Sequence, residues 1–118
     1  MDVQLLLGRV DGVGGGHLDP LVLELAELFG VRFRDVTDGW PTFLANTEGF
    51  KVWVSHRPDD EEPWLSHPFL LDLATEKGRE VEVGEQVYQK LVGTGRYRVA
   101  LLLDGRCLRS SHVSWEDW

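Results

Sequence analysis

Asp104-Gly105 stands between two apolar runs, in "RYRVALLLDGRCLRS". A two-residue Asp-Gly connection between apolar segments favours a tight hairpin, because both turn positions accept positive φ. The same grammar recurs upstream. "TFLANTEGFKVWVSH" (42–56) folds back at Glu48-Gly49, with Phe50, Val52 and Val54 on one face and Lys51, Trp53 and Ser55 on the other. "DVQLLLGRV" (2–10) reads as a strand covered on both sides, with Val3, Leu5 and Leu7 opposite Leu6. "VRFRDV" (31–36) reads as a half-buried strand, and "HPFLLDLAT" (67–75) sets Phe69, Leu71 and Leu73 on one face. Neighbours joined by such short turns pair antiparallel.

Two segments carry helical spacing instead. In "DPLVLELAELFG", Leu21, Leu25 and Leu28 recur on one stripe widened by Val22 and Phe29. Asp19 is the expected N-cap, Pro20 the first helical residue and Gly30 the stop. A second, shorter helix is expected over 85–92, with Val87, Tyr88 and Leu91 inward and Gly93 as its end. The order β, α, β, hairpin, strand, α, hairpin predicts an α+β fold. The chain is one domain, 1–118, with a mostly antiparallel sheet of about six strands and two helices packed on it.

The glycine cluster of "VDGVGGGHLDP" invites comparison with a phosphate-binding loop. A dinucleotide fingerprint needs G-x-G-x-x-G. Starting at Gly12 and Gly14, the third position is His17; starting at Gly14 and Gly16, it is Asp19, whose charge repels a pyrophosphate. No Gly-Lys-Ser/Thr follows either. The loop Gly12–Gly16 therefore reads as a chain reversal, and no cofactor is expected.

Reactive centres are equally hard to assemble. His17, His56, His67 and His112 make no H-x-x-x-H spacing, so no helical metal site is expected. His56 and His67 flank an acidic loop; they either meet across the sheet or sit as two surface histidines. The single cysteine, Cys107, excludes an intramolecular disulfide and reads as a buried, inert thiol. No G-x-S-x-G elbow occurs. The carboxylates at 59–62 are consecutive, whereas a glycosidase needs two acids aimed across a cleft. No catalytic residue is nominated and the chain is not expected to be an enzyme.

Charge and aromatic placement remain. Lys and Arg number 12 against 20 Asp and Glu, a formal net charge of -8. That balance disfavours nucleic acid and anionic membrane as partners and suits a basic protein. "MDVQLLLGRV" lacks the basic leader of a signal peptide, no run approaches the ~20 apolar residues of a membrane span, and a cytoplasmic location is expected. Of five tryptophans, Trp40, Trp64, Trp115 and Trp118 fall outside the strand patterns, each with acids nearby. Aromatic anchors ringed by charge have the composition of a binding hot spot; the alternative is that these rings cap the ends of a small core, where Trp is usually partly buried. The residues that point to a partner are Asp35, Asp38, Trp40, Asp59, Asp60, Glu61, Glu62 and Trp64.

The acidic loop "RPDDEEPW", the turn "TDGW" and the tail "SWEDW" give the chain a character that resembles the immunity proteins of bacterial polymorphic toxin systems. That resemblance implies a stoichiometric inhibitor whose acidic, Trp-containing surface covers a cognate toxin domain, basic and possibly a nuclease. Two rival expectations stand beside it: a small enzyme or ligand-binding domain using Gly12–Gly16 and His17, and a structural or adaptor subunit forming a homodimer.

Overall fold

Residues 2–11 and 17–112 are described in the computed structural model. Among them the strands β1 (Val3–Arg9), β2 (Arg34–Asp35), β3 (Thr42–Thr47), β4 (Phe50–His56), β5 (Phe69–Thr75), β6 (Tyr97–Leu103) and β7 (Arg106–Ser110) form one sheet. Its order is β2-β3-β4-β5-β1-β6-β7, and every neighbouring pair is antiparallel. The expected α+β class holds, with seven strands in place of about six.

Helices α1 (Leu18–Phe29) and α2 (Glu80–Val92) bury their apolar stripes on one face of the sheet. Alternation dictates which strand residues meet them. Leu5 pairs with Leu71 and Leu101 in adjacent strands, and all three are fully buried in the main core beneath the helices. Leu6, one residue on, pairs with Leu70 and Ala100 and forms a second, smaller cluster on the opposite face.

Local chemistry moved several boundaries. His17, in an extended conformation, occupies the N-cap of α1 and makes no side-chain cap; Asp19 lies inside the first turn, where its charge still complements the helix dipole. Gly30 does end α1, left-handed at φ 67°. The strand expected over 31–36 shrinks to Arg34–Asp35. Val31 N–H still donates to Ala26 O of the helix, and the Asp35 carboxylate turns the chain by accepting from Thr37 N–H.

Helix α2 begins five residues before the expected start; "VEVG" alternates like a strand and carries a glycine, which conceals its first turn in the sequence. That glycine has a packing reason. A Cβ on Gly84 would lie 3.0 Å from a Val3 methyl and 3.1 Å from one of Leu101, so its absence lets α2 sit close on β1 and β6. The Asp104-Gly105 hairpin forms as expected, with φ of 50° and 80° at its two turn residues.

Glu24 ties α1 to the sheet. Arg9 donates to both its carboxylate oxygens, at 3.2 and 2.6 Å, and Tyr97 Oη donates to Oε1 at 2.7 Å. These donors hold the Glu24 carboxyl below its usual range, the Arg9 hydrogen bond most of all. Glu24→Ala is expected to destabilise the chain by about 1–3 kcal/mol, since Arg9 and the mostly buried Tyr97 lose a charged acceptor. Urea unfolding at pH 7 measures it. With the folded pKa lowered, this contribution is complete above the unfolded carboxylate range and fades as pH falls through the folded value, so the difference between the two proteins narrows in acid.

Candidate docking surface at the loop end of the sheet

Antiparallel pairing sorts the connections by end. Tight turns at 48–49, 76–79 and 104–105 close one end of the sheet. At the other end β1, β2, β4 and β7 finish and β3, β5 and β6 begin. The longer loops therefore emerge together there, as expected of a functional end built on a rigid scaffold. All eight residues that the sequence nominates for a partner, and His17, His56, His67 and His112, belong to this end.

The segment 57–68 leaves β4 and crosses the sheet face away from the helices before entering β5, forming a strap. Arg57 N–H donates to Pro68 O at 2.7 Å, closing its base. Leu65 N–H donates to Glu61 O at 3.0 Å and His67 N–H to Pro63 O at 2.9 Å, which winds its second half into tight turns. Glu62 accepts from Ser66 twice, from N–H at 2.7 Å and from the hydroxyl. Because that hydroxyl donates to a carboxylate, His67 Nδ1, 2.7 Å from Ser66 Oγ, must be the protonated nitrogen donating to it.

The strap lies flat because β1 carries no side chain at Gly8, where Ser66 crosses it. A Cβ on Gly8 would fall 1.7 Å from Ser66 O. Trp64 consequently reaches the second core and packs on Leu6, Leu70 and Ala100, half-buried at the edge of the core, the place the core-capping reading gives it.

The expectation of two surface histidines also fails. His67 is fully buried, and its pKa falls to about 4, chiefly through burial and then through the positive charge of Arg98. His56 is half-buried, stacked on Phe69 with ring centres 4.8 Å apart, and its pKa is lowered by burial and by His17. Among the described residues no cluster of three potential ligands is arranged for a metal ion.

The acidic residues divide into two roles. Asp59, Asp60 and Glu61 are consecutive and exposed on the outer turn of the strap, and the ion pairs among the described residues lie elsewhere in the fold. Glu62 is committed to Ser66. Asp35 is committed to Thr37, whose hydroxyl and N–H hold its carboxyl below the ordinary range. Asp35 thus shapes the turn that presents Asp38 and Trp40, while Thr42 Oγ1 steadies it by donating to Trp40 O at 2.8 Å.

Trp40 is 51% exposed, and the Arg57 guanidinium lies 5.6 Å from its ring centre. Arg57 also faces the other way. With Trp64 and Pro63 of the strap, Gln4, Leu6, Leu70 and Leu102 of the sheet, and Gly105, it lines a pocket of about 270 Å³. Gln4 is held at the pocket's edge by donating to Asp72 Oδ1 at 2.9 Å. The Arg57 Nε–H is buried without a hydrogen-bond partner.

Arg57, Ser66 and Gly8 escape sequence reasoning. The proline brackets of "RPDDEEPWLSHP" mark a rigid loop, but nothing in them says which sheet face it covers. Trp115, Trp118 and the loop Gly12–Gly16 lie outside the described residues. Cys107 is half-buried against the second core, not fully buried, and burial raises its thiol pKa. No helix among the described residues is long and apolar enough to cross a membrane. Comparison of the chain with family models, with curated proteins and with solved structures finds no match in any of the three.

Proposed function

We propose that this chain is a stoichiometric protein-binding inhibitor, an immunity protein acting in the cytoplasm on a basic toxin domain. The observation that carries the reading is the run of exposed carboxylates Asp59, Asp60 and Glu61 on a strap pinned by hydrogen bonds, at the same end of the sheet as the exposed Trp40. Carboxylates held without internal cations attract a cationic surface at long range, and a rigid indole adds desolvated area at little entropic cost. A nuclease domain, cationic because it must hold phosphate, suits this charge.

Neutralising the run by Asp59→Asn, Asp60→Asn and Glu61→Gln leaves Glu62 and the strap intact. Capture from native cells at low salt is expected to recover one basic toxin domain with the unaltered chain and at least about tenfold less with the variant. The purified pair should associate more slowly as salt rises. Equal recovery and equal neutralisation of the toxin by both proteins would falsify the assignment of the acidic run.

A further inference from the structure

We infer that the pocket under Trp64 receives one apolar side chain, of the Leu or Phe class, from a basic segment of the partner; this rests on the reading just proposed. The pocket, at about 270 Å³, falls short of the roughly 300–1,000 Å³ of small-molecule sites and suits a single side chain. Its floor is Leu6, Leu70 and Leu102 and one wall is the Trp64 indole, so the depth of the pocket suits an apolar group.

The polar groups set the flanks. Arg57 lines the pocket with a positive charge, which excludes a cationic tip. Asp59, Asp60 and Glu61 stand on the same strap as Pro63 and Trp64, so the cations of the segment belong outside the pocket, on the residues flanking the inserted one. A second copy of this chain is a poor occupant, because two surfaces of net charge -8 repel. The walls come from three paired strands and a hydrogen-bonded strap, the preformed geometry that an anchoring residue needs.

The test uses blocked pentapeptides Lys-Lys-X-Lys-Lys with X Phe, Leu or Ala, titrated at low salt into the whole protein and followed by amide and indole NMR shifts. The Phe and Leu peptides are expected to bind about tenfold more tightly than the Ala peptide and to shift Leu6, Leu70, Leu102 and the Trp64 indole. Leu102→Arg, at a half-exposed position, should erase that preference while the spectrum stays folded; the titrations of the unaltered protein stand without it.

Equal binding of all three peptides, with shifts confined to 59–61, overturns the pocket and leaves the acidic-run reading standing. Failure of every basic peptide to bind overturns both. Concentration-dependent shifts of the pocket residues in the absence of peptide assign the pocket to a second copy, which also overturns the inference.

Discussion

Gly8→Ala is expected to cost about 3 kcal/mol or more and to lower Tm by roughly 10 °C, although it adds a single methyl to a strand. The added carbon would stand 1.7 Å from Ser66 O, and the obstacle is backbone, so no rotamer change relieves it. Either β1 bends away from its partners or the strap lifts. Lifting would strain the Glu62–Ser66–His67 bonds and uncover Leu6 and Leu70, so Trp64 emission should shift to the red. Gly30→Ala is the control. Nothing lies within 4 Å of its added Cβ, and only the left-handed φ of 67° opposes it. Its cost should stay near 1–2 kcal/mol with Trp64 emission unchanged. A Gly8→Ala protein as stable as the unaltered chain would show that the strap does not rest on β1.

Acid is expected to remove about 3 kcal/mol of stability through His67 alone, between pH 6.5 and about 4. Its folded pKa of about 4 lies below the ordinary 6.5, so the unfolded chain takes up the proton first. The contribution is complete above pH 6.5 and drains away as pH falls to the folded value. Burial dominates the shift. Arg98 and His112 add to it, while Glu62 and the Pro63 carbonyl oppose it without prevailing. Denaturant unfolding at pH 7.5 and 4.5 is expected to show His67→Gln losing about 2–3 kcal/mol less than the unaltered protein between the two pH values. His56, lowered in the same direction, is present in both and cancels from that difference. Parallel losses in the two proteins would mean that His67 is accessible to protons in the folded chain. The strap carries Asp59, Asp60 and Glu61, so the same protonation should weaken partner binding before the sheet unfolds.

Both experiments concern contacts between residues distant in sequence, and that distance marks the limit of what the sequence discloses. The period-2 segments name the strands and their inward residues, as Leu5, Val52, Val54 and Leu71 illustrate, because each strand's alternation is local. Gly30 and the Asp104-Gly105 turn are legible for the same reason: positive φ is a property of the residue and its immediate neighbours. Where local signals compete, the reading slips. Gly84 weakens the helical pattern of 80–92, yet contact with Val3 and Leu101 requires it, and a partner strand cannot be seen from within the helix. Asp19 has the chemistry of a cap, but it sits two residues past the cap position, inside the first turn.

By itself the amino-acid order determined the α+β class, the antiparallel hairpins, the helix faces and the surplus of negative charge, since each follows from spacing or from counting. Only the tertiary structure decided that the acidic segment folds flat across β1, that Glu62 and Asp35 hold the chain while Asp59, Asp60 and Glu61 face solvent, and that His67 is sealed from water. The reason is physical. Whether a polar group is available or engaged depends on which strands lie beside it, and strand order in a sheet is a property of the assembled chain.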